Sequence, residues 1–583
     1  MSRVAKGQSV SAAGFIGRVG GLAVALGVGA AVFNGATAWA DGGGGSSAHA
    51  GSARSGSSQS TAGPAKHSAS KAASGRARPA ATVRGQSITS VDAAKSPSAA
   101  ADPSAPEDPA AAPDLELAAL AYSRRDTGIS ARPAAGTTLV PTASVQALAA
   151  ENVALIMGPS GVPIPKPTYL QNVFNLYIAP NSPVGTVGLQ LDTPEGLYPI
   201  TGVKSLPLNV SVQQGIEILG AAIEQQLATG NTATVFGYSQ SAIISSLIMS
   251  LLPSDTPVNF VLVGNEMNPN GGLLSRFPGL NLPSLGLPFY GATPENAFPT
   301  TNYTLEYDGF ADFPRYPLNV LSVLNAGLGI IFVHTKYADL TSQQVDSAIP
   351  LPTTDPTQKY YIIPTDNLPL LEPLRLLPVI GAPIADLLQP ALKVLVNLGY
   401  GDPQFGWSNE GFANQQTTFG LLPDVNWGQV ASLFFAGVGQ GLQAFAADVS
   451  PGGVMWQELA ALKPPTPGPA PVLPTPTGVI SSLQTLTTDI AYNISNSSAA
   501  LYAALLPTAD IVNAIVTMLP AYGITLFLSG IQQALSGDVI NGLVNAIGLP
   551  IAAATGLVTT AGLIEVLVLI QAAQGFFGQE TDV

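Results

Sequence analysis

Between residues 152 and 263 the chain alternates short, continuously apolar segments with longer segments of helical periodicity. The apolar segments Asn152–Met157, Thr232–Phe236 and Val258–Val263 are typical of buried strands. Apolar residues repeat at helical spacing from Ile216 to Leu227, and a second apolar helix is expected over Ala242–Leu252. Strands of this kind that alternate with helices indicate a mostly parallel sheet with helices on both faces. The expected fold class is therefore α/β.

The first of these helices has recognisable boundary signals. Ser211 and Gln214 have the spacing of a capping box, which predicts that the helix begins at Ser211. Gly230 and Asn231 follow the last apolar residue and are typical of a helix C-terminus.

The composition excludes several classes of function. The 583 residues include 36 Asp and Glu against 22 Lys and Arg, so the net charge is -14. An acidic chain of this kind argues against a nucleic-acid partner, because binding to phosphates needs clustered basic residues. The chain has no Cys, which excludes a disulfide framework, a thiolate zinc site and a cysteine nucleophile. We expect neither a cofactor nor a metal.

Composition also divides the chain into segments. Arg3, Lys6 and Arg18 precede an uncharged stretch that ends Ala38-Trp39-Ala40, which is typical of a secretory signal and is also long enough for a membrane anchor. The expected segments are a signal peptide or signal anchor at 1–40, a disordered Ser/Ala/Gly/Pro-rich tether at 41–140, an α/β domain at 141–463, a Pro-rich linker at 464–477 and an apolar all-helical module at 478–583. We therefore expect an exported protein, secreted or held in the cell envelope.

The C-terminal module is apolar and contains no basic residue. Its uncharged stretches Ile511–Gly537 and Val539–Ile564 are each long enough to span a membrane, but no Lys or Arg flanks them to set an orientation. We expect the module to pack on the α/β domain or to lie against membrane or envelope lipid, rather than to span a membrane.

A candidate nucleophile lies between a predicted strand and a predicted helix, in the segment Gly237-Tyr238-Ser239-Gln240-Ser241. In a nucleophile elbow, the serine occupies a strained strand-to-helix turn, so small residues must flank it two positions to each side. The alternative is a buried serine in an ordinary turn, but the strand before and the helix after favour the elbow. The backbone N–H of Gln240 would then point at a developing oxyanion.

His334 is the only histidine between the N-terminal tether and the C-terminus. It follows the apolar run Gly329–Val333, which we interpret as a strand, and open α/β sheets place their sites at the C-terminal ends of strands. A single histidine at such a position is more often structural. Its combination with an upstream serine elbow favours a general base instead.

The imidazole of such a pair needs a carboxylate to orient it. Asp308 and Asp312 both follow the predicted strand Thr304–Tyr307. We favour Asp312, because its G-x-x-D-x-P loop could turn the carboxylate back over the sheet edge, and Asp308 is the alternative. The chain order Ser239, Asp312, His334 is that of α/β-hydrolases.

A second oxyanion donor is expected in the loop after the first strand. Ser160, within Gly158-Pro159-Ser160-Gly161, can offer its backbone N–H and its hydroxyl. A plain glycine turn is an equally good interpretation.

Two further segments have open interpretations. The long segment between Val263 and Thr301 is rich in Pro, Gly, Leu and Phe, so it is either a lid over an acyl chain or a loop packed on the domain. The aromatic cluster Tyr400–Trp407 is expected to be core rather than a substrate platform.

Four segments together resemble the PE-PPE domain of mycobacterial proteins, a cutinase-related set of serine α/β-hydrolases. They are residues 155–163, the elbow at 237–241, residues 268–272 and, above all, residues 307–319. The likeness covers roughly residues 145–400, although the turn Gly158–Gly161 differs from the more usual Gly-Gly-Thr-Gly. The resemblance implies the α/β-hydrolase fold and esterase or lipase activity, and for some relatives acyl transfer onto trehalose glycolipids of the envelope.

The sequence therefore predicts an exported serine ester hydrolase that acts on acyl esters or lipids through an acyl-enzyme, with Ser239, Asp312 and His334 as the triad. One alternative is an acyltransferase that uses a trehalose-type glycolipid as acceptor. An alternative of another class is a non-catalytic envelope scaffold or lipid-binding protein, because a fold alone does not establish a chemistry.

Overall fold

The apolar segments of the sequence form a seven-stranded sheet in the computed structural model, which describes residues 151–295, 298–462 and 476–576. The strands are β1 (Asn152–Ile156), β2 (Val187–Gln190), β3 (Thr232–Tyr238), β4 (Val258–Val263), β5 (Asn281–Leu282), β6 (Leu287–Pro288), β7 (Thr300–Leu305), β8 (Ile349–Leu351) and β9 (Gln358–Ile363). The sheet order is β2-β1-β3-β4-β7-β9-β8, and every neighbouring pair is parallel except β8 with β9. Strands β5 and β6 form a separate antiparallel hairpin.

Helices lie between and after the strands. They are α1 (Pro167–Val173), α2 (Leu208–Ala228), α3 (Gln240–Ile248), α4 (Leu273–Arg276), α5 (Val320–Phe332), α6 (Ser342–Asp346), α7 (Glu372–Arg375), α8 (Gly381–Asn397), α9 (Trp427–Val449), α10 (Val454–Ala461), α11 (Pro476–Asn513), α12 (Leu519–Leu535) and α13 (Val539–Phe576). The predicted α/β class, with a mostly parallel sheet, is confirmed.

Alternate residues of the strands face two separate cores. On one face, Val153 and Leu155 of β1 are buried with residues of α2 and α3. On the other face, Ala154 and Ile156 are buried with Val173 of α1 and its neighbours. A strand buried on both sides has a continuously apolar sequence, which is why β1, β3 and β4 could be recognised as short apolar segments.

Several predicted elements differ from the structure. The strand predicted at Thr304–Tyr307 is β7 at Thr300–Leu305, and the helix predicted at Ala242–Leu252 is α3 at Gln240–Ile248. Helix α2 begins at Leu208 after Pro207, so the capping box predicted at Ser211 is wrong, and the Ser211 hydroxyl is buried within the first turn. The run Gly329–Val333 is the end of helix α5 and not a strand. The side chain of Asn319 accepts a hydrogen bond from the Ser322 amide and starts this helix, in which Val323 and Ala326 are buried in the main core.

The C-terminal helices, by which we mean α11 to α13 with the π-helical segment Ala514–Met518, pack on the α/β domain. Ala514, Ala552 and Leu557 belong to the same core cluster as the helices on one face of the sheet. A hydrogen bond of 2.6 Å runs from the Tyr198 hydroxyl to Asp510 Oδ2, and one of 2.8 Å runs from the Ser284 hydroxyl to the Asp510 carbonyl. The C-terminal helices thus pack against the helices on one face of the sheet.

Within the described residues, three helical stretches are long and apolar enough to cross a membrane by length and composition. They are Trp427–Ala461, Gln484–Leu535 and Val539–Gln574. The segments predicted at 1–40 and 41–140, and all of the predicted linker except Pro476 and Thr477, lie outside the described residues; helix α11 has begun by Pro476.

The two segments with open interpretations both pack on the domain. Leu282 and Phe289, in the segment between β4 and β7, are buried in the main core, as a packed loop requires. In the aromatic cluster, Tyr400 and Trp407 are buried.

Candidate active site

Ser239 lies on the turn that joins β3 to α3. Its φ of 59° and ψ of -123° lie in a region that residues with a side chain rarely adopt, as a nucleophile elbow requires. A Cβ on Gly237 would lie 2.5 Å from the carbonyl oxygen of Ser241, so position 237 admits only glycine. The Ser241 hydroxyl accepts a hydrogen bond of 2.8 Å from the Tyr238 amide and so holds the turn.

His334 lies directly after helix α5, and its ring faces Ser239. The Nε2 atom of His334 is 2.8 Å from Ser239 Oγ, although the two residues are 95 positions apart. The Tyr238 hydroxyl donates a hydrogen bond to the His334 carbonyl, and the edge of the Phe310 ring meets the imidazole with 4.9 Å between ring centroids. Ser239 and His334 are thus brought into the contact that general-base activation needs.

Asp308 is the carboxylate that contacts His334. Its two oxygens lie 2.9 and 2.8 Å from His334 Nδ1. The Tyr337 hydroxyl donates to Oδ2 at 2.7 Å, and the Phe310 amide donates to Oδ1 at 3.0 Å. With Nδ1–H directed at this carboxylate, Nε2 is the nitrogen that can accept the Ser239 proton.

The preference for Asp312 is therefore wrong. Its Oδ2 accepts a hydrogen bond of 3.0 Å from the Tyr307 amide, and its own amide donates to the Asp308 carbonyl. The loop makes one tight turn after β7, so the two carboxylates point to different neighbours. Burial raises the pKa of Asp312, while the buried guanidinium of Arg276 acts in the opposite direction. The Asp312 carboxylate thus bonds the backbone of its own loop and not the imidazole.

Gln240 and Ser160, the two predicted oxyanion donors, lie next to each other. Gln240 is the first residue of α3, so its amide has no carbonyl one helical turn earlier to bond. Its side-chain nitrogen donates to Ser160 Oγ at 3.1 Å and to the Gly196 carbonyl at 2.8 Å. The Ser211 hydroxyl donates to the Gln240 side-chain oxygen at 2.5 Å. These bonds fix the loop after β1 beside the start of α3.

Glu266 is a site residue that the sequence reasoning missed. Its Oε1 lies 3.3 Å from Ser239 Oγ, so the serine hydroxyl is within hydrogen-bond distance of both a carboxylate and the imidazole. The side chain is buried, and desolvation by burial raises its pKa to about 7. Its position just after β4, in line with the serine turn after the neighbouring β3, was the available signal.

Burial and the neighbouring carboxylates act in opposite directions on the pKa of His334. Burial disfavours the imidazolium, but the carboxylate of Asp308 and, more weakly, that of Glu266 stabilise it. The net result is a His334 pKa above the ordinary value of 6.5.

Gly264 also contributes to the site and was not singled out from the sequence. It follows β4 with a φ of +57°, and a Cβ there would lie 2.9 Å from a ring carbon of Tyr337 and 3.1 Å from a ring carbon of His334. Only a glycine lets the imidazole approach the sheet this closely.

Within residues 151–295, 298–462 and 476–576, no cluster of three or more His, Cys, Asp or Glu side chains is arranged to hold a metal ion. His49 and His67 lie outside these ranges.

The model of the PE-PPE domain matches residues 185–401. The PPE family protein PPE28 of Mycobacterium tuberculosis is 49% identical over 445 residues, which cover 74% of this chain and 67% of that protein. The chain belongs to the PE-PPE domain family.

Other PE-PPE relatives carry functional names. Esterase PE16 of Mycobacterium tuberculosis is 44% identical over 303 residues, which cover 50% of this chain and 56% of that protein. Diacyltrehalose acyltransferase Chp2 of the same organism is 26% identical over 216 residues, which cover 34% of this chain and 58% of that protein. The chain thus spans between about half and two thirds of these relatives. At the level of the PE-PPE family, the match to an esterase supports an ester hydrolase.

Proposed function

We propose that this PE-PPE protein is a serine ester hydrolase in which Ser239 is the nucleophile, His334 the general base and Asp308 the carboxylate that orients the base. The observation that carries the proposal is the continuous chain of short contacts from Asp308 through both ring nitrogens of His334 to Ser239 Oγ. The strained backbone of Ser239 supports it, because strain is retained where a site needs a fixed geometry.

The reaction has two half-steps. Ser239 Oγ bonds to the ester carbonyl carbon while its proton passes to His334 Nε2, and that proton then leaves with the alcohol as the carbon–alkoxy bond breaks. A water molecule gives its proton to Nε2 and attacks the acyl-enzyme, and the proton returns to Ser239 Oγ as the carboxylic acid leaves. The backbone amides of Gln240 and Ser160 are the proposed donors to the oxyanion.

A labelling experiment tests the proposal. A fluorophosphonate probe is expected to modify Ser239, as read by mass spectrometry of the digested protein. Hydrolysis of p-nitrophenyl esters should disappear in Ser239→Ala and persist in Ser250→Ala, which removes an exposed serine hydroxyl two residues beyond the same helix. Labelling at another serine, or full activity in Ser239→Ala, would refute it.

Acyl transfer is the second candidate function, and the similarity to a diacyltrehalose acyltransferase favours it. Transfer shares the first half-reaction, with a sugar hydroxyl in place of water as the group that attacks the acyl-enzyme. The protein incubated with an acyl ester and trehalose should then yield acyltrehalose in mass spectra. Release of the free acid alone, with trehalose in excess, would leave hydrolysis as the activity.

We further propose that the protein is exported and that the C-terminal helices contact envelope lipid. The signal-like residues 1–40 and the apolar helices at the C-terminal end support this. Fractionation of cells that produce the tagged chain should place it in the envelope or the medium, and recovery in the cytosol alone would contradict the proposal.

A further inference from the structure

An apolar cavity lies between the α/β domain and the C-terminal helices. It has a volume of about 90 Å³, and the domain lines it with Leu197, Leu274, Leu282 and Phe289. The opposite wall comes from the C-terminal helices, through Ala514 and Leu519 on one side and Leu557 and Ala561 of α13 on the other.

The cavity reaches the candidate active site at two residues. Glu266 lines it and lies 3.3 Å from Ser239 Oγ. Phe310 also lines it, and the same ring packs against His334. The cavity is therefore one side chain away from Ser239 at Glu266 and one side chain away from His334 at Phe310.

The mostly apolar side chains that line the cavity indicate what kind of ligand it can bind. Two of the polar side chains in the wall already have partners in the protein, since the Tyr198 hydroxyl bonds Asp510 and the Thr560 hydroxyl bonds the Gly556 carbonyl. The remaining polar side chain is Glu266, at the Ser239 end. An occupant with one polar end at the serine and an aliphatic remainder fits this arrangement, as the acyl part of an ester does.

We infer that this cavity binds the aliphatic chain of the acyl group and that the C-terminal helices, as its outer wall, set the preferred chain length. The inference rests on the proposed ester hydrolase function and deepens it. Each methylene that enters the cavity is expected to raise kcat/KM roughly fourfold until the chain meets the far wall.

The test compares p-nitrophenyl octanoate with p-nitrophenyl acetate in the full chain. Ala561→Phe adds a ring inside the cavity and should lower the octanoate/acetate ratio of kcat/KM by ~10-fold or more. Ala554→Phe makes the same change at an exposed position of the same helix, and its ratio should equal that of the wild type. Ile564→Ala shortens a side chain of the wall and so enlarges the cavity, which should shift the preference towards dodecanoate.

The outcomes separate the inference from the proposed function. If the wild type hydrolyses esters and both Ala561→Phe and Ile564→Ala keep its chain-length preference, the cavity does not hold the acyl chain. If Ala561→Phe does not fold, Ile564→Ala alone decides. If the wild type hydrolyses no ester, the proposed function fails, and binding of a fluorescent fatty acid to Ser239→Ala decides the cavity: weaker binding when Ala561→Phe is added supports it, and equal binding overturns it.

Discussion

At the scale of single residues, the site depends on which of two neighbouring carboxylates faces the imidazole. Asp308 and Asp312 are four residues apart and carry the same side chain, but one contacts His334 and the other accepts a hydrogen bond from the Tyr307 amide. Tyr337 adds a hydroxyl donor to Asp308, which orients the carboxylate and compensates for its burial.

Replacement of these two aspartates should have different effects. Asp308→Asn presents an N–H donor to Nδ1, which favours the tautomer with the proton on Nε2 and prevents that nitrogen from accepting the serine proton, so we expect kcat for a short ester to fall by about 10⁴-fold. Asp312→Asn is the matched control and should keep kcat near the wild-type value, because its side chain does not contact His334. Steady-state kinetics with a melting curve for each variant checks this. Equal losses in the two variants would contradict the assignment.

The buried Glu266 carboxylate should influence the pH dependence of activity. Only neutral His334 can accept the serine proton, so kcat/KM rises as the pH passes the His334 pKa, which lies above 6.5. Glu266→Gln removes a negative charge that stabilises the imidazolium, and the His334 pKa should fall. The acidic limb of the profile should therefore move to lower pH.

The control for this experiment is Glu195→Gln. Glu195 is also buried, with a pKa raised by burial to about 8, and its carboxylate bonds the Thr193 hydroxyl rather than Ser239. Its acidic limb should match that of the wild type. A limb that stays in place in Glu266→Gln, or moves to higher pH, would show that Glu266 does not act on His334.

At the scale of elements, the ends of β3, β4 and β7 bring the site together. Ser239 follows β3, Gly264 and Glu266 follow β4, and Asp308 follows β7. Parallel neighbours end at the same edge, so three segments that are distant in the chain meet there. His334, two residues beyond the end of helix α5, lies at the same edge.

The fit of α5 and the following His334 against β4 is open to a direct test. Gly264→Ala should displace the imidazole and lower kcat, because its Cβ would crowd His334 and Tyr337. Gly279→Ala also places alanine at a positive φ, of +79°, but its Cβ would have no neighbouring atom within 4 Å. Both should lose stability by ~1 kcal/mol from backbone strain, and only Gly264→Ala should lose activity. Equal activity in the two proteins would contradict this role of Gly264.

At the scale of the whole molecule, the C-terminal helices have two surfaces. The inner surface covers the cavity and core, while the outer surface exposes large aliphatic side chains such as Leu535 at 85%, Ile540 at 77% and Ile547 at 66%. Exposed apolar surface on this scale is typical of contact with lipid or with another protein.

We predict that the protein floats with neutral phosphatidylcholine vesicles in a density gradient. Neutral lipid is the relevant probe, because residues 464–583 contain no Lys or Arg to attract anionic headgroups. Leu535→Glu with Ile540→Glu should reduce flotation several-fold. Thr229→Glu with Ser250→Glu adds the same charge at exposed positions of the α/β domain and should not. Equal flotation of the two double variants would exclude the outer surface as the lipid contact.

The sequence by itself determined the features that depend on neighbours in the chain. The continuously apolar strands β1, β3 and β4 and the small residues around Ser239 all follow from local sterics and burial, which leave a readable pattern. His334 could be identified from the sequence because the domain contains no other histidine.

Only the tertiary structure decided what depends on the path of the chain through space. The run Gly329–Val333 suits a strand or a helix, and the Asn319 cap together with close packing of Gly329 on the Tyr307 backbone made it the end of α5. The choice of Asp308 and the position of Glu266 depend on how the loops after β7 and β4 turn. The outer wall of the cavity comes from residues more than 200 positions beyond Ser239, and contacts at that separation leave no local pattern in the sequence.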